Sequence, residues 1–321
     1  MPLSSVVETT KERRLAALKK QRSSRWKQMK QDRYLYLMLL PTLLLVFFFS
    51  YLPMPGLVVA FMDWDIFDQF RSEWVGFANF ERLFQVPAFS QAIWNTLWIS
   101  ILSLAVGFPV PIIFALLINE VRVKYFKRFV QTVSYLPHFL SWIAVVGILY
   151  TIFAKYGIVN DIRIAILGPD TERQLFLTDQ SFFVPNVVLT SLWKEFGWGS
   201  IIYLAALTSI DPQLYEAATI DGAGKWRQVR HITLPGLLPT TVILLILSLG
   251  NLFNSNFELI YGLQNAFINF EVISTLVYRQ GIAEGDYSMA TALGFVQGLV
   301  AFLLIYLSNR LAKKLTDVSI W

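Results

Sequence analysis

Six apolar runs alternate with polar segments along this chain. They lie at Tyr34 to Phe61, within Phe89 to Ile118, within Val130 to Phe153, at Asn186 to Thr208, from Thr240 to about Tyr261, and from about Met289 to Leu307. About 20 residues, rising 1.5 Å each, cross the hydrocarbon of a bilayer, so each run is long enough to span one. The pattern predicts an all-α, polytopic membrane protein with six transmembrane helices. Pro53 and Pro55 should kink the first span or end it early. In the polar segment that follows, Trp74 to Phe84 (WVGFANFERLF) reads as an aromatic interfacial element.

The stretch from Asp211 to Pro239 breaks the alternation. It separates two apolar runs, yet it is too polar to span and too patterned for a plain linker. Asp211 can cap a helix that begins at Pro212, because the carboxylate accepts orphan N–H groups and proline has no donor to leave unpaired there. Gly222 and Gly224 permit the positive-φ turn that ends a helix. A second short segment runs from Lys225 to Thr233, and Pro235 and Pro239 set the angle of the next span. The expectation is a bent helical finger between spans four and five.

Composition agrees with a membrane protein: 55% of the 321 residues are hydrophobic and 15% charged. The chain has no cysteine, which removes disulfides, thiolate metal sites and cysteine nucleophiles. His138 and His231 lie far apart, each without a nearby metal-ligand partner, and read as polar or interfacial contacts. The net charge of +5 belongs to one end, since Met1 to Arg33 holds ten Lys or Arg against three acids. That tail reads as a cytoplasmic flank meeting anionic lipid rather than nucleic acid, and it is not a secretory signal. With the tail inside, 20 basic residues fall on inner segments and 6 on outer ones. Both termini and the finger are therefore expected in the cytoplasm. The domains expected are a basic tail over 1–33, a six-helix domain over 34–308 that includes the loop 211–239, and a cytoplasmic end over 309–321.

Ionisable and amide residues inside spans usually face a bundle interior or a water-filled cavity. The fourth span has Lys194 and Glu195. In the fifth, Asn251, Asn254, Ser255 and Glu258 fall at i, i+3, i+4 and i+7, with Asn256 beside them, so a continuous helix would align four of them in one polar stripe. Such a stripe suits a cleft in which a hydroxyl-rich substrate replaces water. The alternative for Lys194 and Glu195 is mutual neutralisation near the interface.

Several residues together resemble the EAA signature of permease subunits of binding-protein-dependent ABC importers: Glu216-Ala217-Ala218, Asp221-Gly222-Ala223, Ile232, Leu234 and Pro235. One position departs from it, with Val229 where an aromatic is usual. The Gly-Phe-x-Asn-Phe segment after the first span also resembles sugar permeases, and the Asn-rich fifth span resembles that of the maltose permease. The resemblance implies a type I ABC importer permease fold in the bacterial inner membrane. It implies that Glu216 anchors an ATPase, that Ala217 and Ala218 make close contact with it, and that Gly222 fixes the angle of the finger, with Asp221, Ala223, Leu234 and Pro235 in the same surface. By the same resemblance Ser191, Lys194, Glu195 and Trp198 join the substrate path.

No Gly-x-x-x-x-Gly-Lys-Ser/Thr loop occurs, so this chain should not cradle ATP in that manner. ATP and Mg2+ are expected at a partner ATPase, and the chain itself should bind no cofactor or metal and carry no catalytic residue. The partners implied are a second permease subunit (homologous rather than identical), two ATPase subunits and an extracytoplasmic solute-binding protein. The cargo implied is an oligosaccharide or polysaccharide fragment, including uronate-containing ones such as alginate oligomers. Gly294 and Gly298 form a ridge that lets helices approach closely. A stand-alone secondary transporter or channel is the competing reading, and it predicts inverted repeats and discontinuous helices. A membrane-embedded enzyme is a weaker one, since no nucleophile–base set or metal cluster is recognisable.

Overall fold

The computed structural model describes residues 31–65, 67 and 72–316. Most of the basic tail, and the residues beyond 316, lie outside them. The chain divides into two compact units at Val58.

In the first unit, α1 (Arg33–Val46) runs through Pro41 into a π-helical turn at Phe47–Tyr51, and regular helix stops before Pro53. A 3-10 turn follows over Met54–Phe61, its last three residues already in the second unit, as the two prolines lead one to expect.

The second unit opens on a two-residue hairpin, β1 (Met62–Asp63) with β2 (Glu73–Trp74), and a short helix, α2 (Ala78–Gln85). The Gly-Phe-x-Asn-Phe segment fixes this corner. Gly76 turns the chain at φ +59°, and buried Asn79 donates to the carbonyls of Ala60 and Met62 at 3.0 and 2.9 Å. Phe61 stacks on Trp74 at 5.7 Å and meets Phe80 at 5.2 Å, so the aromatic element encloses one ring.

Next come α3 (Pro87–Gly107), α4 (Pro109–Glu120) and α5 (Lys124–Tyr135). A 3-10 turn at Leu136–Phe139 leads to α6 (Trp142–Ile152), and α7 (Ile158–Leu167) lies in the following connection. The long helix α8 (Gln180–Thr208) starts at Asp179, whose side chain accepts from the Ser181 N–H at 2.9 Å. The Ser181 hydroxyl, and then its backbone N–H, hold this carboxyl below its ordinary pKa. The finger comprises α9 (Pro212–Ile220), α10 (Lys225–Gln228) and a π-helical turn at Val229–Thr233. It feeds α11 (Leu234–Gly250), after which α12 (Phe257–Leu263), α13 (Ile273–Tyr278) and α14 (Tyr287–Thr316) complete the chain.

The six apolar runs do not become six plain helices. Among the described residues four helical stretches are long and apolar enough to span: Arg33–Phe61, Pro87–Glu120, Lys225–Gly250 and Tyr287–Lys314. The third run is instead a pair of helices bent by 102°, since Pro137 interrupts the helix and Leu140 continues in extended geometry. The fourth, α8, is 29 residues long but carries Lys194 and Glu195 near its middle and does not pass on apolar composition. The fifth run is also broken, because α11 ends at Gly250 and helix resumes only at Phe257.

Between lipid-embedded helices there is no hydrophobic driving force, so close packing and polar contacts must hold them together. The main cluster joins Ile99 of α3, Val145 of α6, Phe183 and Val187 of α8, and Leu259 of α12. A second cluster joins Ala115, Tyr203, Leu207 and Leu237 where α4 and α8 pack with α11. At Gly197 α8 passes directly against α5: a Cβ there would collide with the Ser134 carbonyl. Gly294 and Gly298 are different, since a Cβ on either meets no heavy atom within 4 Å.

Candidate functional site

The break in the fifth run builds a polar cavity. Residues 251–256 are non-helical, and Asn256 caps α12 by accepting from the Leu259 N–H at 3.1 Å. Irregular backbone at membrane depth is tolerated where it lines a cavity or is buried in protein. Here it supplies Asn251, Asn254, Ser255 and Asn256 to a pocket of about 330 Å³. Opposite stand Ser191 and Glu195 of α8, Trp142 of α6, and Ser100 and Ser103 of α3. That volume is at the small end for a ligand site, about 300–1,000 Å³. Polar contacts set the walls: Gln297 donates to Asn254 Oδ1 at 2.8 Å, and the Ser255 and Ser274 hydroxyls meet at 3.0 Å.

This corrects the expected stripe. The residues reach one cavity because the helix stops, not because it continues. Glu258 falls in the first turn of α12, is exposed, and does not line the pocket. Ser100, Ser103 and Ser248 were not anticipated from sequence. The available signal was the i, i+3 spacing of two serines inside an apolar run.

Lys194 and Trp198 also stand apart from the cavity. Lys194 is 4% exposed, and its Nζ donates to the His138 carbonyl at 2.7 Å and lies 4.7 Å from the centre of the Trp142 ring. Glu195 Oε1 is 3.4 Å from that Nζ, while its Oε2 is 2.9 Å from His138 Nδ1. Trp198 stacks flat on His138, with ring centroids 4.4 Å apart. Lys194, Glu195 and Trp198 therefore clamp the bend in the third run, through His138 and Trp142, onto α8. Of these, Glu195 and Trp142 also face the cavity. The mutual-neutralisation reading of Lys194 and Glu195 fits this geometry better than a free ammonium facing cargo.

The finger has the termini its sequence called for. Asp211 Oδ1 accepts from the Gln213 N–H at 2.9 Å, with Pro212 at the first helical position. At the other end Gly222 sits at φ +75°, its N–H donating to Thr219 and that of Ala223 to Ala218 at 2.8 Å. This paired arrangement satisfies the last carbonyls of α9 and is the left-handed stop expected of glycine. Tyr215 and Thr233 hydroxyls meet at 3.0 Å, and Gln228 donates to Thr219 Oγ1 at 3.0 Å, so the two arms are tied together. Glu216, Ala217, Asp221, Gly222, Leu234 and Pro235 are exposed, with Ala218 and Ala223 half-buried. Among the described residues no group of three or more His, Asp or Glu could hold a metal ion.

Comparison with known proteins bears on both regions. Residues 107–317 match the family model for the inner membrane component of binding-protein-dependent transport systems. The polygalacturonan/rhamnogalacturonan transport system permease protein YteP of Bacillus subtilis (strain 168) is 45% identical over 295 residues, 91% of each chain. Protein LplB of the same organism is 43% identical over 290 residues, covering 89% of this chain and 90% of the relative. Among solved structures, a bacterial ABC transporter involved in importing the acidic polysaccharide alginate superposes with a TM-score of 0.82 at 41% identity. It covers 91% of this chain and 99% of its own.

Proposed function

The chain belongs to the family of inner membrane components of binding-protein-dependent transport systems and is the permease subunit of an ABC importer, and we propose that its cargo is an oligosaccharide or polysaccharide fragment. The observation that carries the cargo reading is the cavity at the broken fifth span, walled by serine hydroxyls and asparagine amides. Such groups exchange hydrogen bonds with sugar hydroxyls as readily as with water. YteP belongs by name to a polygalacturonan/rhamnogalacturonan transport system, and the superposed transporter is involved in importing alginate. Uronate-containing fragments are therefore within the proposed range.

Transport would be driven from outside the chain. A separate ATPase, holding ATP and Mg2+, grips the finger at Glu216, Ala217 and Ala218. When its halves close, α8 and α11, rooted at the two ends of the finger, tilt together. A second permease packs alongside, and the open Gly294–Gly298 ridge supports such a partner. A solute-binding protein delivers cargo from the outer side. One matched structure is described as the alginate transporter in complex with its alginate pentasaccharide-bound periplasmic protein.

A discontinuous helix also occurs in secondary transporters, so the break at 251–256 does not separate the two readings. Reconstitution does. Proteoliposomes holding this chain with its co-purified subunits and binding protein should take up labelled oligosaccharide only when ATP is supplied to the ATPase side. Uptake by the chain alone, without nucleotide, would establish the secondary transporter instead.

A further inference from the structure

We infer that the ATPase seat on this chain has two parts, the finger and the turn Asn119–Arg122 between α4 and α5, which together form one groove. This rests on the finger being ATPase-facing. The groove is about 820 Å³ and is bounded on one side by Glu216, Ile220 and Lys225 and on the other by Glu120 and Arg122. Lys225 Nζ and Glu120 Oε2 are 3.0 Å apart and bridge its two walls. The turn is held from below, because Ile118, one residue before it, is 3% exposed.

Three features make the groove a receptor for a protein element rather than a solvated furrow. Glu216 and Arg122 have no ion-pair partner among the described residues, so each wall offers one free charge of opposite sign. Ile220 is 87% exposed at its lip, and Trp226, beside the bridging Lys225, is 75% exposed. An isolated exposed isoleucine is ordinary, but one at the lip of a groove with unpaired charges, with an exposed tryptophan next in sequence to a groove residue, favours a covering surface. The groove is also continuous with the finger, since Tyr215, Glu216 and Thr219 of α9 form part of its wall. The occupant that fits is a protruding element of the ATPase subunit with an apolar ridge. It would carry a base facing Glu216 and an acid facing Arg122.

The chain contains no cysteine, so single cysteines can be placed without background. Glu216→Cys, Arg122→Cys and, as a control in the connection after α7, Glu172→Cys would each carry a maleimide-linked photo-crosslinker in membranes holding the assembled transporter. Adducts are identified by peptide mass. Positions 216 and 122 should both yield adducts with a chain bearing a Gly-x-x-x-x-Gly-Lys-Ser/Thr loop, and position 172 should not. Adducts at 216 but not at 122 would overturn the two-part seat and leave the finger's role intact. Adducts with that chain at neither position would remove the finger's role as well, and an adduct at 172 would show labelling without contact and overturn the inference. As a second readout, Glu120→Lys should lower cargo-stimulated ATP hydrolysis several-fold, and Glu120→Lys with Lys225→Glu should restore it. Failure of the swap to recover activity would show that the bridge does not shape the seat.

Discussion

Lys194 shows how a single buried charge can be tied up by its own fold. Its ammonium gives one strong hydrogen bond to the His138 carbonyl and rests on the Trp142 ring, with Glu195 nearby. A hydrogen bond from a charged donor contributes roughly 1.5–3 kcal/mol. Methionine fills similar volume and keeps contact with the indole but cannot make that bond. Lys194→Met should therefore lower stability by about 1–3 kcal/mol, seen as a reduced melting temperature of the purified transporter, while KM for cargo stays within about twofold. An unchanged melting temperature with a tenfold rise in KM would put Lys194 back in the substrate path. Sequence singled out this charge inside an apolar run, and it stands near the middle of the long helix α8. Sequence could not tell which wall the charge served, because a helical residue's partner across the bundle depends on a bend 56 residues earlier in the chain.

At the scale of the element, the finger was legible and the broken spans were not. Its signals are local: an aspartate before proline, a glycine ten residues after that proline, and two prolines beyond. Each acts through hydrogen bonds within one turn of its own position. The gap at 251–256 has no such punctuation beyond Gly250 itself, and the i, i+3, i+4, i+7 spacing of its polar residues fits a helix equally well. The third run did contain Pro137, but proline marks a break without giving its angle. The finger's glycine also yields a clear prediction. Valine at position 222 must hold a backbone of φ +75° that L residues disfavour by roughly 1–2 kcal/mol, more for a β-branched side chain. No neighbour lies within 4 Å of the added Cβ, so the cost is in the backbone rather than in packing. Gly222→Val should insert normally and keep cargo binding by the receptor, yet lose at least tenfold in ATP-driven uptake. Normal uptake by that variant would mean the angle of the finger does not transmit force.

For the whole molecule, the sidedness proposed from charge makes its own demand on the structure. Three of the five described basic residues on the proposed outer side are paired with acids, Arg82 with Asp286 at 3.1 Å, Arg173 with Asp161 at 2.9 Å, and Arg279 with Glu271 at 2.7 Å, while Arg163 bonds to Asn160 instead. On the proposed inner side Lys225 pairs with Glu120, but Lys124, Lys127, Arg128, Arg227 and Arg230 have no acidic partner among the described residues. Free bases near helix ends are retained where the cytoplasmic leaflet is anionic, and pairing reduces that pull on the other side. The absence of native cysteine makes the arrangement directly measurable. In intact spheroplasts, a membrane-impermeant maleimide should label Glu172→Cys and Glu284→Cys, both exposed positions, and should spare Asp221→Cys and Lys313→Cys until the membrane is opened. Labelling of Asp221→Cys from outside would put the finger on the face away from cytoplasmic ATP. Neither the force-transmitting role of α9 nor the two-part groove could then hold, however well its helix is capped.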